Sequence, residues 1–312
     1  MDNPERSLPA PGPATGAKVW IQAARPKTLV AAFIPVAVGT SIAIRLDAFD
    51  ALPAGLCLGF AFLIQIGTNF ANDYFDFKKG ADTDRKLGPA RAVASGAVKP
   101  NAMLWATVAV LVLAFVTGLC LLPYGGTLLF VVGLASLVCA IAYTGGPFPL
   151  AYLGLGDIFV VAFFGLVAVG FTQYVQTGIF PKEAWLAGLG VGLAINNLLV
   201  VNNYRDVEED AQNGKKTLAV RFGRKFSLRQ YAVQSLGASF CLLFIYEFPD
   251  LLWGVVFLLV VFMHLRAVAS LAKANNPQEY LSCLGAAAKG VVILGIGFCT
   301  GILVPLFRST PF

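Results

Sequence analysis

The chain has 312 residues, of which 57% are hydrophobic and only 13% charged, with a mean hydropathy of +0.74. Soluble globular chains carry about 25% charged residues, so this composition excludes a soluble enzyme, a disordered protein and a nucleic-acid module. The net charge of +6, from 23 Lys and Arg against 17 Asp and Glu, then bears on membrane topology and site chemistry rather than on a DNA-binding face.

Residues 1–17 mix Pro, Gly and both charge signs and read as a disordered tail. They lack the basic and apolar regions of a signal peptide. Residues 18–312 read as a single transmembrane domain. A helix crossing the bilayer core needs about 20 mainly apolar residues. Nine windows qualify, at 28–46, 51–71, 102–122, 124–143, 157–178, 183–204, 228–247, 250–272 and 284–307. They are continuous runs rich in Ala, Leu and Gly, which excludes alternating membrane strands. The expected fold is an all-α polytopic membrane protein of about nine helices, arranged as two four-helix units and a ninth helix. Along these windows, Trp105, Trp185 and Trp253 fall near span ends, as interfacial anchors do. Gly188, Gly190 and Gly192 permit close helix packing. Asp157 reads as an N-cap of the fifth span, and His264, beside Arg266, as interfacial. The six cysteines form no C-x-x-C pair, so they read as packing residues.

Orientation follows from the basic residues of alternate loops. With the N-terminus cytoplasmic, 20 of the 23 Lys and Arg lie on the inner side, leaving Arg45, Lys182 and Arg308 outside. This places the N-terminus inside and the C-terminus on the opposite face.

The second and sixth spans end alike, in Asn72-Asp73-Tyr74-Phe75-Asp76 and Asn202-Asn203-Tyr204-Arg205-Asp206. An even number of spans separates them, so both face the same side, as in a parallel repeat with its site where the halves meet. Asn69, Asn72 or Asp73, and Asp76 share one helical stripe, and Asn196, Asn203, Asp206 and Asp210 a similar one. Asn and Asp are costly in lipid, so both stripes should face a protein-lined cavity. Basic residues follow each motif: Lys78, Lys79, Arg85, Lys86 and Arg91 in one, Lys215, Lys216, Arg221 and Arg224 in the other. Carboxylates beside Lys and Arg suit an anion bridged by a hard cation. Mg²⁺ binds a few carboxylates and keeps its other positions for water and phosphate oxygens, while Arg and Lys take the outer oxygens.

At these residues the sequence resembles the UbiA-type intramembrane prenyltransferases, whose N-D-x-x-D and D-x-x-x-D motifs stand here as Asn72-Asp73-x-x-Asp76 and Asp206-x-x-x-Asp210. Tyr143-Thr144-Gly145-Gly146-Pro147 and Asn213-Gly214-Lys215 strengthen the likeness, which covers about residues 20–307. Many members carry a third Asp where Gly80 stands, with the next Asp here at Asp82. That form, together with Gly88–Gly96 and Arg25-Pro26-Lys27-Thr28-Leu29, is similar to the branch acting on 1,4-dihydroxy-2-naphthoate. The resemblance implies Mg²⁺-dependent transfer of a polyprenyl group from its diphosphate to that acceptor, with loss of CO₂, in menaquinone or phylloquinone synthesis. It implies Asp73, Asp76, Asp206 and Asp210 as metal ligands, with Asn72 among the catalytic residues. Asn69, Lys79, Asp82, Arg85, Arg91, Tyr143, Asn203 and Lys215 are expected to bind substrate. Arg25 either binds substrate or anchors its helix at the membrane surface. The partners expected are polyprenyl diphosphate, the naphthoate and membrane lipid, with no nucleic acid and no obligate protein partner. Prenyltransferases for other acceptors (4-hydroxybenzoate, homogentisate) share every catalytic feature. A cation-coupled transporter fits less well, because transporter acids usually lie near the midplane and these lie at span ends.

Overall fold

The computed structural model describes residues 16–81, 91–245 and 251–308. Fifteen of the 17 residues expected to form the tail, and Asp82 and Arg85 of the expected site, lie outside that set. Every described secondary-structure element is helical. The first half comprises α1 (Ala17–Ala24), a 3₁₀ turn (Pro26–Thr28), α2 (Val30–Arg45), α3 (Ala51–Lys78), α4 (Pro100–Leu119) and α5 (Leu122–Ala142). A one-turn helix α6 (Leu150–Leu153) precedes α7 (Gly156–Val160), which continues through a π-helical segment (Val161–Val167) into α8 (Ala168–Thr177). Then follow α9 (Lys182–Arg205), α10 (Val207–Gln212), α11 (Leu218–Ile245), α12 (Leu251–Lys273) and α13 (Pro277–Arg308).

Local chemistry sets several of these limits. Asp50 caps α3 by accepting from the Leu52 amide at 2.9 Å, a standard way to satisfy an orphan N–H at a helix start. Pro100 occupies the first turn of α4, where its missing N–H costs nothing.

The described parts of all nine apolar windows fall on helices, but the count of nine spans is not reached. Among the described residues, seven helices are long and apolar enough to cross a membrane alone; the pair Ala17–Thr28 and Val30–Arg45, bent by 49°, makes an eighth if counted as one span. α2 has 16 residues, about 24 Å at 1.5 Å per residue against a hydrocarbon core of about 30 Å. α11 carries Arg221, Arg224, Lys225 and Arg229 in its first half, which shortens its apolar portion.

α9 is the most enclosed span, with 67% of its apolar window buried, whereas α5 at 11% is peripheral. Val191, Ala194 and Ile195 of α9 pack with Val38 and Ile42 of α2, Leu242 of α11, and Leu294 and Phe298 of α13. Glycines let α9 meet the π-helical segment backbone to backbone. A Cβ on Gly165 would lie 2.3 Å from the Gly188 carbonyl oxygen, and one on Gly192 would lie 2.7 Å from that of Val161. Gly190 faces Phe298 instead, at 2.5 Å. The expected close packing at all three α9 glycines is therefore present. Trp105 and Trp185 are exposed, at 70% and 49%, as membrane-facing anchors should be. His264 is not interfacial: it is 3% exposed, with its imidazole against Gly290 of α13.

Candidate active site

The last turns of α3 place Asn69, Asp73 and Asp76 on one inward face, each no more than 3% exposed. Each has a distinct set of partners. Asn69 donates to the Ala24 carbonyl at 3.0 Å and to Thr28 Oγ1 at 3.1 Å, and Gln65 donates to the same hydroxyl at 3.1 Å. These bonds hold the bend before α2, where Arg25 adopts the left-handed region at φ 52°, close enough for its charge to act on Asp73. Asp73 accepts from the Ala92 amide at 3.0 Å and from the Val93 amide at 3.1 Å, one on each oxygen. It thereby anchors the turn that brings Arg91 to Asp76.

Asp76 is the meeting point. Its Oδ2 pairs with Arg91 at 3.2 Å. Its Oδ1 accepts from the Tyr152 hydroxyl at 3.2 Å and lies 3.7 Å from Lys215 Nζ. Asn72 accepts from Thr144 Oγ1 at 2.9 Å, and Lys79 donates to the Thr144 carbonyl at 2.6 Å.

The second motif reaches the same place from α10. Asp210 lies 3.5 Å from Lys215 Nζ, so one ammonium stands between an acid of each half. Tyr152 lies under both lysines, with Lys79 Nζ 4.1 Å and Lys215 Nζ 5.1 Å from its ring centre, a cation–π arrangement. Backbone contacts close the joint: the Lys216 amide donates to the Tyr152 carbonyl at 2.9 Å, and Asn213 donates to the Ala81 carbonyl at 3.2 Å. Gly154, at φ +76°, lets the chain pass so close that a Cβ there would lie 2.3 Å from the Lys216 carbonyl oxygen. Asp206 is turned to its neighbour Arg205, which binds it through two nitrogens at 2.6 and 2.7 Å.

A small cavity beside this cluster is lined by Tyr143, Asn203, Asp157, Gly156, Leu199 and Thr217, among others. Asp157 is not an N-cap, since no side chain caps α7. Its Oδ1 accepts from Asn196 at 3.0 Å and from Gln230 at 2.5 Å. Asn196 thus serves Asp157 rather than facing open space.

Charge follows burial. Burial pushes the Lys79 ammonium below its ordinary value; the neighbouring Asp76 opposes this and Lys215 adds to it. The Tyr143 phenol is pushed well above its ordinary value, first by burial and then by the negative charges of Asp157, Asp76 and Asp210.

The structure therefore gathers Asp76, Asp210, Lys79, Arg91 and Lys215 at one locus, with Tyr143 and Asn203 lining the adjoining cavity. Asn69 and Asn72 bind protein groups at its edge, while Asp73 and Asp206 hold partners of their own. Among the described residues, no three His, Cys, Asp or Glu side chains are grouped as a ready metal site. The donors that do converge fit a hard cation. Two carboxylates from opposite halves flank one position now taken by an ammonium, and hard divalent ions favour such oxygen ligands. Sequence reasoning missed Tyr152, Gln230 and the setting of Asp157. Tyr152 stands four residues after Phe148 in a stretch without charge, and nothing local marks it.

The sequence profile of the UbiA prenyltransferase family matches residues 32–288. The 1,4-dihydroxy-2-naphthoate octaprenyltransferase of Haemophilus influenzae is 33% identical over 301 residues, covering 92% of this chain and 96% of that protein. The Escherichia coli enzyme of the same name is 34% identical over 294 residues, with the same coverage. The structure of a UbiA homologue from Archaeoglobus fulgidus bound to GPP and Mg²⁺ shares the fold, with a TM-score of 0.64 at 15% identity, over 90% of this chain and 99% of that one.

Proposed function

Since the chain belongs to the UbiA prenyltransferase family, we propose that it transfers a polyprenyl group from polyprenyl diphosphate to 1,4-dihydroxy-2-naphthoate. The products are a demethylated menaquinone-type ring (or its phylloquinone counterpart), diphosphate and CO₂. The observation that carries the reading is the convergence of Asp76 and Asp210 on Lys215, with Arg91 and Lys79 alongside. The names of the relatives supply the acceptor.

Lys79, Arg91 and Lys215 present donors to the diphosphate oxygens and stabilise the negative charge that grows on them as the allylic C–O bond breaks. Asp82 and Arg85, together with Arg25, belong to the same substrate-binding set. Asp76 orients two of these groups, Arg91 and Lys215, and the Tyr152 hydroxyl beside them. Asp76 and Asp210 would hold a Mg²⁺ ion, with Asp73 and Asp206 as further carboxylates once released from their present partners, and the ion would supply Lewis-acid neutralisation of the leaving group; the magnesium in the Archaeoglobus homologue supports this choice of ion. Water is kept from the allylic carbon by the apolar helices behind the cluster. The acceptor ring carbon then forms the new C–C bond to the prenyl carbon, and the carboxyl leaves as CO₂.

The single catalytic domain spans residues 18–312. Its site opens on the cytoplasmic side, with the N-terminus there and the C-terminus opposite. The test is product mass from membranes carrying the protein, given Mg²⁺, a polyprenyl diphosphate and either acceptor. The expected result is prenylated, decarboxylated naphthoquinol. Turnover of 4-hydroxybenzoate with none of the naphthoate would overturn the choice of acceptor.

A further inference from the structure

Asp157 is a buried carboxylate, 7% exposed, that lies outside both motifs. Its environment differs from that of the motif acids. Asp76, Asp206 and Asp210 each face a Lys or Arg, but Asp157 makes no ion pair among the described residues. Two amides bind it instead, Asn196 at 3.0 Å and Gln230 at 2.5 Å, both on Oδ1. The donors come from α9 and α11, so two spans fix this one oxygen in place. No hydrogen bond from a described residue reaches Oδ2, and the residue lines the cavity shared with Tyr143, Asn203 and Thr217.

A buried carboxylate at the start of a membrane span is costly and marks a functional cavity more often than a packing contact. The chemistry of the two substrates decides which one it serves. A diphosphate has only acceptor oxygens and negative charge at neutral pH, so an unpaired carboxylate repels it. A dihydroxylated aromatic ring offers O–H donors, and a carboxylate accepts such bonds strongly. The cavity adjoins the diphosphate cluster, because the turn that bounds it at Ala151 and Gly154 also carries Tyr152 to Asp76. Tyr143 spans the two regions, since the charges of Asp157, Asp76 and Asp210 all act on its phenol.

We propose that Asp157, fixed by Asn196 and Gln230, is the residue that recognises the aromatic acceptor: its Oδ2 accepts a hydrogen bond from a ring hydroxyl. This rests on the prenyl-transfer reading and assigns the acceptor's place within it. The bond selects hydroxylated rings, and it raises the electron density of the ring that attacks. The ring's own carboxyl is directed away from Asp157, toward the Lys and Arg side.

The experiment measures kcat and KM for 1,4-dihydroxy-2-naphthoate, and Kd for the prenyl diphosphate, in purified parent protein and Asp157→Asn with Mg²⁺ present. Loss of one hydrogen bond to a charged group should lower kcat/KM for the naphthoate by roughly tenfold to a hundredfold, with prenyl diphosphate affinity within about twofold of parent. Naphthoates methylated at one ring hydroxyl at a time complete a double-mutant cycle. One of the two ethers should be poor with the parent, and Asp157→Asn should not weaken it further. Equal use of both ethers and the free diol by the parent would overturn the proposal, whether or not the variant folds. So would an Asp157→Asn protein with parental kcat/KM. A parent that binds prenyl diphosphate but prenylates no naphthoate would count against the prenyl-transfer reading instead.

Discussion

Lys79 shows how much a single residue's setting matters. It follows α3 directly, donates to the Thr144 carbonyl and lies over the Tyr152 ring. Burial depresses its ammonium below the ordinary lysine value of 10.5, with Asp76 partly restoring it and Lys215 depressing it further. Only the charged form holds a diphosphate oxygen, so kcat/KM, which reports the free enzyme, should fall as pH rises through the depressed value, below 10.5. Stability moves the other way. Between the depressed and ordinary values the unfolded chain binds more protons than the folded one, so this group makes unfolding harder as pH rises. An alkaline loss of activity due to Lys79 therefore comes without a parallel loss of stability. Lys79→Arg, charged throughout, should move the alkaline limb upward, and identical kcat/KM profiles would remove Lys79 from the diphosphate site. At this scale the sequence identified the charged residues well, because acids and bases in an apolar chain are conspicuous. It did not identify their partners. Nothing in the run around Tyr152 shows that its hydroxyl meets Asp76, 76 residues away.

The helices were the most legible part, because continuous apolar runs leave the chain no alternative to internal hydrogen bonding in lipid. The described parts of all nine windows lie on helices. What the runs could not show is how helices are interrupted. The bend before α2 depends on Gln65 and Asn69, some 40 positions along the chain, and the π-helical segment sits where α9 presents Gly188 and Gly192. The turn after α6 is the interruption most closely tied to function. Gly154 combines φ +76° with a carbonyl oxygen 2.3 Å from where a Cβ would be, and that carbonyl belongs to Lys216, next to Lys215. Gly146 has a similar φ of +73° but open space around it. Both alanine variants incur the left-handed cost of about 1–2 kcal/mol. Only Gly154→Ala must also push the Lys215 segment off the Tyr152 turn. Melting temperature in detergent should fall for both variants, while prenyl transfer should fall at least about tenfold further for Gly154→Ala, the loss that misplacing a reacting group by an ångström can bring. Equal activities would show that this close passage does not position Lys215.

For the whole molecule, the repeat of two acid-ended spans announced a site shared between halves, and the Asp76–Lys215–Asp210 bridge joins the halves there. The route of the chain through the bilayer is a separate question, and it depends on parity. Seven independently long and apolar helices give opposite faces to the two ends; the bent α1–α2 pair as an eighth would return the C-terminus to the starting side. The basic residues argue for an odd number. Arg45, Lys182 and Arg308 are the three bases placed outside, each at a span end, whereas the segments assigned to the inner side hold 20 of the 23. Such a bias sets orientation when counted close to the spans. The parity turns on α11. If Gln230–Ile245, the part of α11 beyond its last basic residue, crosses together with α2, nine passes result and the ends lie apart. The basic first half of α11 then lies at the inner surface with Lys215, where Arg221 already binds the Leu153 carbonyl at 2.8 Å. Reporter fusions test this: alkaline phosphatase after Phe312 should be active and the same reporter after Asn276 inactive, with a fluorescent protein at the N-terminus bright. An inactive C-terminal phosphatase on a protein that still prenylates would mean an even number of crossings. In that case either α2 or α11 packs in the interior without spanning, and the apolar length of that helix alone would have to change for a crossing to form.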